Sequence, residues 1–335
     1  MVTTTADNDA ATQPRRQLTT LSGWRQFTLD QPMIPELLPP PDRAGLDADT
    51  RDRDEEDRID YHTRLTVIAT STVKAVAQKG RRLTLLNRHA VSARRGLILS
   101  GAAGTGKTTA ITQFGKMHEV ADRQRHPHSC DRIPVLYVTV PPAATPRMLA
   151  AEFARFLGLP VTQRANLTDL IEAVCGVCCD TGTSVVICDE LHNISLATRA
   201  GAEVSDTLKY FSERVPATFI YSGINVEREG LFTGTRGEQI AGRHTLIATT
   251  GFPYTDDWRS VVASIEHTLR LHNHRLGTLT GLDRYLHQRT AGMIGSLSAL
   301  IREAALDAIL TGTEKITKSA LDTIDLDHAA HTKSS

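Results

Sequence analysis

The segment Gly101-Ala102-Ala103-Gly104-Thr105-Gly106-Lys107-Thr108-Thr109 satisfies the pattern G-x-x-x-x-G-K-[ST] at every fixed position. Its chemistry is anion binding. The glycines let backbone N–H groups close around a phosphate chain, which then sits at the positive end of the helix that follows. Lys107 would reach the β- and γ-phosphates, and Thr108 would ligate Mg²⁺. A second constellation, VVICDE over 185–190, is four apolar strand residues followed by two carboxylates. At a strand tip beside the loop, Asp189 can hold the Mg²⁺ shell and Glu190 can polarise a water. A nucleotide kinase needs no such glutamate, so the pair favours ATP hydrolysis over phosphoryl transfer to a small acceptor.

Two further stretches extend this site. Ser222-Gly223-Ile224-Asn225 follows the fourth apolar strand, where Ser222 or Asn225 can contact the γ-phosphate or the lytic water; a polar strand-end turn is the plainer alternative. Arg243, in IAGRHTLIA, stands where ring ATPases carry the arginine that reaches a neighbour's nucleotide. Arg236 is a rival, and a solvated surface arginine is the alternative for both.

These residues need strands that end together and helices that start there. Five apolar runs supply the strands: Gly96–Ser100, Val135–Val140, Val185–Cys188, Ala217–Tyr221 and Thr245–Ala248. They alternate with helical segments at Thr108–Val120, Arg147–Leu157, Leu167–Cys179 and Val204–Arg214. Continuously apolar strands alternating with helices predict a parallel sheet covered on both faces. The expected organisation is a mobile Pro-rich arm over 1–50, a helical lead-in over 51–94, a nucleotide-binding core over 95–252, a helical lid over 253–328 and a tail over 329–335. Six of the 14 prolines fall in the first 41 residues, which motivates the arm. Ile59, Leu65, Ile68 and Val76 offer the lead-in an apolar face, and Ile294, Leu297, Leu300 and Ile301 recur at helical spacing in the lid.

Composition excludes several classes. A chain of 335 residues with 40% hydrophobic residues can build a substantial core. No signal-peptide core or 18-residue apolar run is present, so a cytoplasmic protein without membrane contact is expected. Lys plus Arg and Asp plus Glu both number 38, so a nucleic-acid contact must come from a local patch. The most basic loop reads as Asp122–His128, with Arg123 and Arg125 as DNA candidates and Lys116 and Arg147 behind them. Cys175, Cys178 and Cys179 have C-x-x-C spacing but no second ligand pair, so buried helix cysteines are expected rather than zinc. The His267, His272 and His274 group reads as a solvated helix face, and His192 as a hydrogen-bonded structural histidine.

The order GAAGTGKTT, VVICDELHN, FIYSGIN and AGRH resembles AAA+ ATPases. Within them the chain is similar to the TniB/TnsC group of transposition regulators, relatives of MuB, through Asp189-Glu190-Leu191-His192-Asn193 and the stretch from Gly292-Met293-Ile294-Gly295 to Arg302-Glu303-Ala304-Ala305. The similarity runs from about Tyr61 to Leu321. It implies an α/β fold with a P-loop AAA+ core, a parallel five-stranded sheet and a small helical lid. It further implies a homo-oligomer that forms on duplex DNA in the ATP state and recruits a DDE transposase, with a target-selection protein as a further partner. Hydrolysis would drive disassembly. A helicase loader-like DNA-remodelling ATPase and a nucleotide-dependent protein switch without DNA are the competing readings. One departure stands out: many AAA+ lids carry Arg in a G-x-x-R turn, where this chain has Gly295. Arg302 lies further along the same helix.

Overall fold

Five parallel strands form one sheet in the order β2-β3-β4-β1-β5: β1 Gly96–Gly101, β2 Val135–Thr139, β3 Val185–Asp189, β4 Thr218–Gly223 and β5 His244–Thr249. The computed structural model describes residues 16–162, 166–194, 199–226 and 242–326. Strands β1 to β4 are buried almost throughout, as their unbroken aliphatic runs require, whereas edge strand β5 alternates between covered and exposed positions. Because every strand is parallel, their C-terminal ends share one edge. The phosphate loop after β1 and the acid pair after β3 meet there, with the end of β4 between them.

Helices α5 Lys107–Arg125, α6 Pro146–Phe156, α7 Leu167–Asp180 and α8 Arg199–Arg214 cover the sheet. The lid is α9 Asp256–Thr268, α10 Asp283–Thr290, α11 Ile294–Leu310 and α12 Lys318–Asp322, packed around its own apolar cluster. Leu297, Leu300 and Ile301 are buried in that cluster, and Ile294 packs against it.

The N-terminal third differs from the sequence expectation in two ways. Within 1–50, helix α1 Leu21–Leu29 docks on the core, a short α2 spans Pro40–Ala44, and α3 Ala48–Thr63 already begins. The docked anchor is Trp24: it is fully buried, stacks on Tyr137 at 5.7 Å and donates from Nε1 to Glu119 at 3.0 Å. Lys116 Nζ reaches the Phe27 and Asp30 carbonyls at the end of α1. Proline density in the flanks concealed this helix. The expected single lead-in is also split, into α3 and α4 Ser71–Asn87. Arg64 is extended and Thr70 caps α4, while the β-branched run Thr66-Val67-Ile68 lies between them. Helix α3 and Ile68 pack on the lid, whereas α4 packs on the core, its Gly80 lying against the Phe114 ring.

Removing the α1 anchor tests this arrangement. Trp24→Ala should cost roughly 3–5 kcal/mol in urea unfolding, as for other buried aromatic truncations. A loss below about 1 kcal/mol would show that α1 is a loose arm after all.

Candidate active site

The loop after β1 owes its shape to its glycines. Gly104 and Gly106 have φ of 75° and 84°, left-handed values that L side chains rarely adopt, and Gly106 caps the start of α5. A Cβ on Gly101 would stand 1.9 Å from the Thr249 carbonyl oxygen. Thr105 Oγ1 is bonded to the Ala102 carbonyl at 2.9 Å and pairs with the Thr249 hydroxyl at 2.8 Å, which ties the loop to β5. Lys107 Nζ donates to the carbonyls of Gly101 and Ala102 at 2.8 and 2.7 Å. Burial lowers the Lys107 pKa, and the nearby Asp189 and Glu190 carboxylates offset part of that shift. A cation with so little solvent favours an anion beside it.

The carboxylates sit directly across from the loop. Thr108 Oγ1 donates to Asp189 Oδ2 at 2.7 Å, and the Tyr137 phenol donates to the same oxygen at 3.2 Å. A threonine hydroxyl beside a carboxylate is the hard-oxygen pair that Mg²⁺ takes, so Thr108 and Asp189 fit that ion. Tyr137 was missed in the sequence; its signal was a lone phenol in a strand whose other residues are Val, Leu, Val and Thr. Burial and the Asp189 charge push its pKa up, which keeps it a donor.

Glu190 occupies the left-handed region, with φ 58° and ψ 37°, an uncommon conformation for a residue with a side chain. The backbone N–H of Ile224 donates to His192 Nδ1 at 3.3 Å, leaving the ring proton on Nε2, which lies 3.3 Å from Glu190 Oε2. His192 is thus hydrogen-bonded as expected, but it also joins Glu190 to the turn after β4.

Lid and lead-in complete a cleft of about 440 Å³ above the loop. Leu65, Val67 and Ile68 from the α3–α4 connection face Ile265, Ile294 and Ile301 of the lid, an apolar slot beside the polar loop. Gly295 N–H donates to the Gly104 carbonyl at 2.9 Å. A Cβ at 295 would stand 3.2 Å from Gly104 Cα and O, so a side chain there would require lid and loop to give by a few tenths of an ångström. Glycine at 295 thus suits the close contact between lid and loop. Arg302 also lines the cleft, and its guanidinium donates to the His62 and Thr63 carbonyls at the end of α3.

Other sequence candidates fall elsewhere. Gly223 and Ile224 line the cleft; Ser222 is fully buried beside it and Asn225 follows with φ 49°. Arg243 is exposed at the start of β5, at the opposite edge of the sheet from the loop, about 20 Å away along a six-residue strand. Arg236 lies outside the described residues. Helix α5 continues through Arg125, so the expected basic loop starts only at His126; Arg123 is paired with buried Glu119 at 2.7 Å, while Arg125 is exposed. Lys116 is bonded to α1, and Arg147 to the Thr162 carbonyl.

His272 and His274 correct the solvated-face reading. The side chains of both are buried beyond the end of α9, His274 against Glu266 at 3.2 Å, because the chain folds back beneath Glu314. Cys175 and Cys178 are buried in α7 with thiols pushed up to about 11 and about 12 by burial, and Cys179 is exposed. Among the described residues no His, Cys, Asp and Glu cluster could hold a metal by itself. No described helix is long and apolar enough to cross a membrane.

A parallel five-stranded sheet carrying this loop, an acid pair at the end of β3 with β4 between them, and a helical lid make up the AAA+ fold. Solved structures with this fold include the Aeropyrum pernix ORC2 protein in its ADP form (TM-score 0.60, 16% identity, covering 82% of this chain and 72% of that one). The Aeropyrum pernix ORC1 protein in complex with DNA has TM-score 0.59 and 14% identity, covering 80% of this chain and 66% of that one. CDC6P from Pyrobaculum aerophilum has TM-score 0.51 and 12% identity, covering 71% and 63%. The chain thus spans just under two thirds of the length of the last two. No curated protein sequence matches the chain significantly. The family described as Bacterial TniB protein matches residues 58–252, more than half of the chain, and the chain belongs to that family.

The Asp189 contacts give a direct test. Tyr137→Phe leaves a buried carboxylate oxygen with one donor fewer and should cost about 1.5–3 kcal/mol in urea unfolding. Unchanged stability would show that the phenol does not support Asp189.

Proposed function

We propose that this protein is an ATP-dependent regulator of transposition that assembles on duplex DNA in its ATP state, recruits or activates a DDE transposase, and disassembles on hydrolysis. The observation that carries the nucleotide chemistry is the meeting of Thr108 with Asp189 at 2.7 Å beneath a cleft that Glu190 and His192 also line. Membership of the TniB family supports the transposition role.

The loop N–H groups and Lys107 would bind the phosphates, exchanging the lysine's two carbonyl contacts for phosphate oxygens. Mg²⁺ held by Thr108 and Asp189 would supply charge neutralisation at the β- and γ-oxygens. Glu190 would accept the proton of the attacking water, oriented by His192 Nε2–H. The apolar slot between the α3–α4 connection and the lid suits a nucleobase. Arg243 stands too far from its own loop to serve it, so its proposed role is on a neighbour's nucleotide.

Three variants separate these roles. Lys107→Ala should abolish ATP binding; Glu190→Gln should bind ATP and hydrolyse it roughly 10²–10⁴-fold more slowly. Arg243→Ala should bind ATP yet lose concentration-dependent turnover, with partial recovery on mixing with Lys107→Ala protein. Parent-level turnover by Glu190→Gln would remove the glutamate from the mechanism, and failure of every mixture would remove Arg243.

The DNA assignment has its own measurement. Anisotropy with labelled duplex should show binding with ATP or a non-hydrolysable analogue, little binding with ADP, weak sequence dependence and a steep loss with salt. No binding at low salt and saturating ATP would leave a switch that acts on protein partners alone.

A further inference from the structure

The zero net charge hides a segregation. Residues 30–60 carry eleven Asp and Glu against four Arg, a net of −7; residues 71–95 carry seven Lys and Arg and no acid, a net of +7. Helical geometry concentrates both. Helix α3 buries Arg58, Tyr61 and His62 against the lid, and its opposite face presents exposed Asp49, Asp52, Glu56 and Asp60 at spacings of three and four. Helix α4 buries Val76, Gly80, Leu83 and Asn87, and its opposite face presents exposed Lys74, Arg81 and Leu85, with Arg82 and Arg88 beside them. Among the described residues, no ion pair engages Lys74, Arg81, Arg82 or Arg88, and none joins α3 to α4.

We propose that the acidic face of α3 docks against the basic face of α4 on a second copy of this chain, in a head-to-tail contact that propagates through the oligomer. Charge complementarity argues for this occupant, since the chain carries both halves. The apolar residues among the cations argue the same way: Leu86 and Val91 are 68% and 92% exposed. A phosphate backbone has nothing to cover them, whereas the acidic segment opens with exposed Met33 and Ile34. Used head to tail, with each copy giving one face to each of two neighbours, the contact is heterologous and leaves one face of each kind free for the next copy.

The contact is coupled to the cleft. Residues 64–68 and Thr70, in the join between α3 and α4, line it, so a bound nucleotide sets how the two docking faces are oriented. The oligomer and its nucleotide dependence rest on the function proposed above.

The test is a charge exchange in the full chain, followed by sedimentation velocity at low salt with a non-hydrolysable ATP analogue. One variant combines Lys74→Glu, Arg81→Glu and Arg88→Glu; the other combines Asp49→Lys, Asp52→Lys and Glu56→Lys. Each alone should raise the concentration needed for assembly at least about tenfold, because every contact becomes like against like. An equimolar mixture should assemble near the parent's midpoint, since the two variants alternate with every contact again opposite in sign. Thermal melting and binding of a fluorescent nucleotide establish that each variant is folded and competent. Assembly of either variant at the parent's midpoint, or a mixture that stays dispersed although both bind nucleotide, overturns the proposal. So does a basic-face variant that assembles normally but loses duplex DNA, which would give that face to nucleic acid. A parent that binds nucleotide but does not assemble also overturns it; a parent that binds no nucleotide overturns the proposed function instead.

Discussion

Asp189 is the point on which the rest of the structure converges. Its Oδ2 accepts hydrogen bonds from Thr108 on the helix after the phosphate loop and from Tyr137 in the neighbouring strand, and its Oδ1 accepts one from the backbone N–H of Glu190. A carboxylate with 2% of its surface exposed must be surrounded by donors, because an unpaired buried charge is expensive. Meeting that requirement brings the ends of β1, β2 and β3 into one small volume. Tyr137 then extends the constraint outward, since Trp24 stacks on its ring and fastens α1 to the core.

The lead-in has a mechanical role that follows from where its helices are attached. Helix α3 belongs to the lid through the fully buried Arg58–Glu314 pair at 2.9 Å, the bond from Tyr61 to the Thr268 carbonyl and the contacts of Arg302 with the last carbonyls of α3. Helix α4 belongs to the sheet, through Asn87 bonded to Thr218 and to the backbone of Arg95. The strap between them crosses the cleft. Anything that fills the cleft therefore acts on core, lid and strap together. A buried ion pair such as Arg58–Glu314 contributes little net stability but resists rearrangement, because separating its partners leaves a charge without solvent.

The Gly104–Gly295 contact shows how a departure from a motif can be structural. An arginine in the lid turn would extend a charge toward the phosphates, whereas a glycine allows the lid backbone to bond directly to the loop. The lid is thereby held on the cleft by main-chain geometry, and the charge is left to Lys107 and to residues from elsewhere.

Five strands, the α5–α8 segments, the phosphate loop and the acid pair were all legible in the sequence. Each is encoded locally: aliphatic runs make buried parallel strands, positive φ demands glycine, and amphipathic spacing marks a helix. Helix α1, the break between α3 and α4, the role of Tyr137 and the burial of His272 and His274 were not legible. Each depends on a partner more than forty residues away or on packing that overrides local composition. The same limit hid the basic face of α4. Its cations are spread over a helix and its following loop, and only the burial of the opposite side gathers Lys74, Arg81, Arg82 and Arg88 into one surface. Sequence by itself determined which chemistry the chain carries, because phosphate and Mg²⁺ chemistry needs particular side chains at short spacings. Tertiary structure decided which of those groups meet, since burial, hydrogen-bond satisfaction and the order of strands in the sheet are properties of the whole fold.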